Sequence, residues 1–314
     1  MAETQAPQRK AAAAPAAAPP GNLRVGLIVG GLAVALVGGF ALGKSTSTPA
    51  SGGQTPSGVT ASFNESVPHT HGPMPGMTGA EVGGLSISSA GYTLVPRETA
   101  YKTGQATLTF AVTGPDRKPV TDFAVVHDKP MHMVVARRDL SGYQHLHPAM
   151  APDGTWTVAI NLDRPGPWRA VADFTANGAG GAQTAVTLGT DLTVAGAYQP
   201  ETVPAAAREA TVDGYTVSYE GTPQIGATAP LLFRVFKDGQ PVTNLDPYLG
   251  SFGHLVFLRR LDMAYIHTHP EAVLSGGAVK FWATAPSTGT YRMFFDFQVS
   301  GQVHTAAFTL NIGN

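Results

Sequence analysis

The chain has 314 residues, with ten histidines, 37 glycines, 25 prolines and no cysteine, and its 20 basic and 21 acidic side chains leave a net charge of −1. The missing thiol excludes disulfides, thiolate metal sites, cysteine nucleophiles, a blue-copper centre and a lipid anchor on an N-terminal cysteine. A charge this close to zero offers no basic face to nucleic acid, and glycine and proline at about one residue in five argue against a mostly helical protein.

Residues 1–22 are rich in alanine and proline and are expected to form a disordered cytoplasmic tail. Residues 23–43 contain an uncharged apolar run from Val25 to Gly43, set between Arg24 and Lys44. At 1.5 Å per residue that run spans about 28 Å, close to the hydrocarbon thickness of a bilayer. Arg9, Lys10 and Arg24 precede it against one acid, Glu3. The bias predicts a single-pass protein of the cell membrane, N-terminus inside and everything after Lys44 extracytoplasmic. A cleaved signal peptide is the competing expectation, through Ala41 and Gly43, but the run exceeds the usual length of a signal core. Residues 44–85, rich in Ser, Thr, Gly and Pro, read as a flexible linker. This linker carries His69, His71, Met74 and Met77 within a few residues of one another.

Beyond the linker the sequence repeats. Gly91-Tyr92-Thr93 matches Gly214-Tyr215-Thr216, and the stretch from His132 to Pro148 aligns without gaps to His254–Pro270 at an offset of 122. Later, Asp173-Phe174 matches Asp296-Phe297. Two units follow, 86–196 and 208–314, joined by a connector at 197–207. Alternating runs such as Ala106–Val112 and Leu231–Phe236, bounded by turn signals at Asp153-Gly154 and Asp238-Gly239, predict β-strands. The fold class expected is therefore all-β: two tandem immunoglobulin- or cupredoxin-like β-sandwich domains after one transmembrane helix and a linker.

The repeated block holds the chemistry. His132, His145 and His147 recur as His254, His267 and His269, and eight of seventeen aligned positions are identical. In a strand, residues i and i+2 share a face, so His145 and His147 point the same way, as do His267 and His269. A tight turn would bring His132, or His254, back toward its pair. Three converging imidazoles would make a copper or zinc site in each unit. His304, which aligns near Gln183, is a candidate fourth ligand, and Asp173 and Asp296 are candidates to orient a ligating histidine. His127 faces Leu249 in the alignment and reads as incidental. The thioethers of Met74 and Met77, with Met131 and Met133 flanking His132, tilt the donor set toward copper, leaving zinc the lesser candidate. The paired arginines Arg137-Arg138 and Arg259-Arg260 read as solvated or salt-bridged groups beside a turn.

Taken together, the His-x12-His-x-His-Pro block and the Asp-Phe strand resemble a bacterial, actinobacterial-type group of extracytoplasmic β-sandwich proteins, the YtkA-like and CopC-like copper-handling domains. That resemblance implies an envelope location, a β-sandwich fold and an association with copper. The function expected is metal binding outside the membrane, for sequestration or delivery and without turnover. The chain has no His-Glu-x-x-His, Gly-x-Ser-x-Gly or phosphate-binding glycine loop, so no enzyme is expected. The alternative is a structural module, its histidines internal and its surface bound to another envelope or membrane protein.

Overall fold

A computed structural model describes residues 82–313. Residues 1–81, which hold the expected cytoplasmic tail, the expected transmembrane helix, almost all of the expected linker and the group His69, His71, Met74 and Met77, lie outside the described residues. Among those described, no helix is long and apolar enough to cross a membrane.

The architecture is all-β. In the first domain, β1 (Tyr92–Pro96), β2 (Gly104–Thr113) and β5 (Thr155–Leu162) lie side by side, edged by Ser88–Ser89 and Ala149–Met150. The opposing sheet runs β7 (Gln183–Val194), β6 (Gly166–Asn177), β3 (Met131–Arg137), β4 (Gln144–Leu146). This is the strand order of an immunoglobulin sandwich. The second domain repeats it. β8 (Tyr215–Glu220), β9 (Ala229–Lys237) and β12 (Val279–Ala285) form one sheet. β11 (Tyr265–Ile266), β10 (His254–Arg259), β13 (Gly289–Val299) and β14 (Gln302–Ile312) form the other.

Each sandwich closes on its own apolar core. Trp156, Trp168 and Phe174 fill the first, and Phe233, Phe281 and Phe295 the second. All seven residues of β3 are buried, which a strand exposed on one side would not be. Met131, Met133 and Val135 face the core of the first sandwich, whereas Val134 and Ala136 face a third apolar cluster.

That third cluster joins the two domains. Val134, Ala136, Leu140 and Val171 of the first meet Val256, Leu258, Met263, Tyr265 and Phe294 of the second. Both sandwiches lie within one compact unit, and the joined faces are the sheets that carry the histidine blocks. The Tyr143 ring stacks on Phe294 with centroids 3.9 Å apart and planes 2° from parallel. Arg138 donates to the carbonyls of Arg260 and Leu261 across the same boundary. Gly83 pairs with Tyr265 through two backbone hydrogen bonds, extending the second domain's sheet. Gly84 lies so close to Gly189 that a Cβ on Gly189 would strike the Gly84 carbonyl. Arg137 is buried against Asp139 and the Gln199 carbonyl, so it ties the first domain to the connector while Arg138 ties it to the second domain.

Removing one large side chain from the third cluster should loosen the docking but not the sandwiches. Phe294→Ala is expected to cost about 3–5 kcal/mol and to split one urea transition into two, because each domain keeps its own core. A single transition at the wild-type midpoint would contradict an energetically joined pair.

Candidate metal centre

The β3–β4 hairpin places the first histidine block. Val134 pairs with His145 and Met133 with Leu146, so His132, His145 and His147 all project from the face of the sheet that meets the second domain. Their ring centroids lie 5.3, 5.1 and 4.9 Å apart, and their ring nitrogens converge within 4.8 Å. A second grouping shares His145 and crosses the boundary: His145 with His254 and Asp296 of the other domain. His254 stacks on His132 at 5.2 Å and on His145 at 4.3 Å.

Each domain lends the other a carboxylate. Asp173 sits beside His132 on the neighbouring strand, and Asp296 beside His254. Neither carboxylate serves its own domain's second histidine. Asp296 accepts from His145 Nδ1 at 2.8 Å, and Asp173 accepts from His267 Nδ1 at 2.8 Å. Thr305 holds the other oxygen of Asp296 at 2.6 Å, and Thr187 that of Asp173 at 2.7 Å. Tyr143 and Tyr265 complete the mirror, donating to Asp296 at 3.4 Å and Asp173 at 3.2 Å. Burial, then the adjacent carboxylate, pushes both phenols well above their ordinary value.

These partners fix the imidazole protons. The Val126 carbonyl can only accept, so Nε2 of His132, 3.1 Å away, carries that ring's proton and Nδ1 is bare. Asp296 accepts from His145 Nδ1, so a neutral His145 carries its proton there and leaves Nε2 bare. Those two bare nitrogens face one another at 3.1 Å. His147 Nε2 and His254 Nδ1 are buried with no hydrogen-bond partner. Burial, reinforced by neighbouring rings, lowers His132 to about 4, His127 and His147 to about 3, and His254 well below its ordinary value. His267 moves the other way: burial alone would lower it, but the Asp173 carboxylate outweighs that and raises it. Burial likewise opposes ionisation of Asp173, and the His267 contact carries its carboxyl below the usual range.

The second block does not form a matching site. Its strand leaves the hairpin early, and His269 pairs with Trp282 of the opposite sheet. Among the described residues the ring nitrogens of His132, His145 and His147 lie within 4.8 Å of one another, and those of His254, His267 and His269 do not form such a group. Two sites, one per domain, are thereby replaced by one histidine cluster at the domain boundary. His304 is elsewhere. It pairs across strands with Phe297, where Val186 pairs with Phe174 in the first domain, so its counterpart is Val186 rather than Gln183. Its ring packs on Tyr215 and Phe297 on the inner face of the second sandwich, and its Nδ1 meets Asp213 at 2.8 Å. The sheet therefore separates it from the cluster. Met131 and Met133 also point away, into the first core, and supply no thioether.

A family match covers both domains, residues 87–191 and 210–314, which is more than half of the chain. The chain belongs to the family described as Domain of unknown function (DUF8832). Comparison with curated proteins returns no match. Similar solved structures include the N-terminal Ig1-2 module of the Drosophila receptor protein tyrosine phosphatase DLAR, at 14% identity over 71% of this chain and 99% of that one, with a TM-score of 0.19. A marsupial T cell receptor matches at 9% identity over 71% and 96%, TM-score 0.21. The bacterial integrin-binding protein invasin matches at 11% over 72% and 40%, TM-score 0.21. At these identities and scores the likeness carries no argument about function.

His127 is the residue that sequence reasoning set aside. Its ring lies 5.9 Å from both His132 and His254 and stacks on His267 at 6.0 Å. Its backbone is left-handed, φ 48°, as is that of Leu249 at the equivalent position, φ 56°. The turn repeats and the side chain does not, so the internal alignment held no signal for it.

The lowered histidines set the pH response. Each of His127, His132, His147 and His254 binds fewer protons folded than unfolded below about 6.5, so stability rises with pH across that range. His267 has the opposite sign, one group against four. The urea midpoint is expected to fall steadily as pH drops from 6.5 to 4, and a flat profile would contradict burial of neutral imidazoles.

Proposed function

We propose that this tandem module is a membrane-anchored, extracytoplasmic copper-binding protein that sequesters or delivers the ion and carries out no turnover. The observation that supports this most is the contact between His132 Nδ1 and His145 Nε2. Two bare nitrogens at 3.1 Å repel unless a cation lies between them. Burial, then the adjacent imidazole, lowers His132, so that ring does not hold a proton at the contact. A metal–nitrogen bond of about 2 Å lets one ion reach both, and the unpartnered Nε2 of His147 supplies a third donor.

The donor chemistry narrows the metal. Imidazole suits copper and zinc, and for a given nitrogen site copper(II) binds more tightly. No thioether joins the described cluster, so the donor set favours copper(II) over copper(I). The YtkA-like and CopC-like resemblance rests on the same histidine block and points to the same metal. An outer location follows from the charge bias around Val25–Gly43. In a second reading the histidines only dock the domains, which the two reciprocal aspartate–histidine pairs favour; an envelope protein would then be the partner.

Copper titration of the full-length protein separates the two. With His69, His71, Met74 and Met77 all replaced by alanine, the chain should take up one copper(II), and His145→Ala or His147→Ala should remove it. His304→Ala should leave it intact. No histidine-dependent uptake at micromolar copper would favour the docking-only reading, and two independent equal sites would refute the shared cluster.

A further inference from the structure

Two aspartate–histidine pairs cross the domain boundary, yet only one ends on the converging histidines. Asp296 receives His145 on one oxygen at 2.8 Å and Thr305 on the other at 2.6 Å. Both partners donate, so the carboxylate is held in a single orientation. A neutral imidazole has one proton to place. With that proton drawn to Nδ1, the lone pair of His145 stays on Nε2 and faces His132 Nδ1 at 3.1 Å.

From this geometry we infer that Asp296 is the positioning residue of the site: a carboxylate from the second domain selects the tautomer in which His145 of the first can coordinate, an assignment that rests on the copper site proposed above. Asp296 acts through His145 rather than as a ligand of the His132, His145 and His147 site, because its oxygens are not among the atoms that converge there. The site is thus completed only when the domains dock. Asp173 makes the mirror contact with His267, outside the converging set, and so joins the domains without preparing a site.

Asp296→Asn tests this by inverting the proton order. Thr305 can still donate to the amide oxygen, while the amide nitrogen now donates to His145 Nδ1. The imidazole proton must then move to Nε2, where it closes a hydrogen bond to His132 Nδ1 in place of the open position. In the full-length protein with the linker donors replaced, copper(II) affinity measured against a competing chelator is expected to fall about 10–100-fold. The imidazole nitrogen resonances of histidine-labelled protein should show the His145 proton on Nδ1 in the metal-free wild type and on Nε2 in the variant. The urea midpoint should not fall, as it would if Asp296 served stability alone. Asp173→Asn should leave copper affinity unchanged.

If Asp296→Asn binds copper as tightly as the wild type, or if His145 carries its proton on Nε2 in the wild type, the positioning role is overturned. If the wild type takes up no copper, the metal reading fails, while the His145 resonances still decide whether Asp296 sets the tautomer. Should Asp296→Asn fail to fold, Thr305→Val frees the carboxylate to turn, and a loss of about threefold to tenfold is expected; no loss there also overturns the assignment.

Discussion

The reciprocal exchange of carboxylates governs this molecule. Each domain places an aspartate on the strand beside its own first histidine and extends it to the second histidine of its neighbour. A buried carboxylate is expensive unless several donors surround it. Here each receives three: an imidazole and a phenol from the opposite domain and a threonine from its own. Two of those three donors disappear if the domains part. The apolar cluster around Val134, Val256 and Phe294 gives the face its area, and the two aspartate–histidine pairs fix how the faces align.

From that exchange follows the state of the histidines. Docking removes them from water, and burial disfavours the charged ring. Proton partners are few: a backbone carbonyl for His132 and a carboxylate for His145. What remains at His127, His132, His147 and His254 is a set of neutral rings gathered where two sheets meet. The near-symmetry of the repeat breaks at this point. His127 faces the cluster where the second domain has Leu249, and His269 is carried to the opposite sheet where His147 stays with the hairpin. Duplication therefore built the face twice while the lone pairs collected on one side of it.

Much of this was legible in the residues. The 122-residue offset exposed the duplication without any propensity scale, and the alternating runs and turn signals gave strands and an immunoglobulin-type sandwich. His132, His145 and His147 could be suspected together, although their common face depends on hairpin register, which turn length alone left open. What could not be read was docking between domains. Period-two alternation says that a strand is buried on a face, but not whether its cover is the same domain or the next. The run Met131–Arg137 has the continuous apolar character of a strand covered on both sides, with His132 and the terminal Arg137 as its exceptions. Asp173 and Asp296 could be named as orienting groups, but their exchange across domains is a tertiary fact. His304 misled because the turn before it, 300–301, is shorter than the matching turn 178–182, which hid its true counterpart, Val186, a core position.

Copper-edge anomalous diffraction from crystals of the copper-loaded protein tests the central claim most directly. The account predicts one peak within the β-domains of each chain, between His132 Nδ1 and His145 Nε2 and beside His147. Two equivalent peaks, one in each domain, or a peak at His304 with none at the boundary, would contradict it.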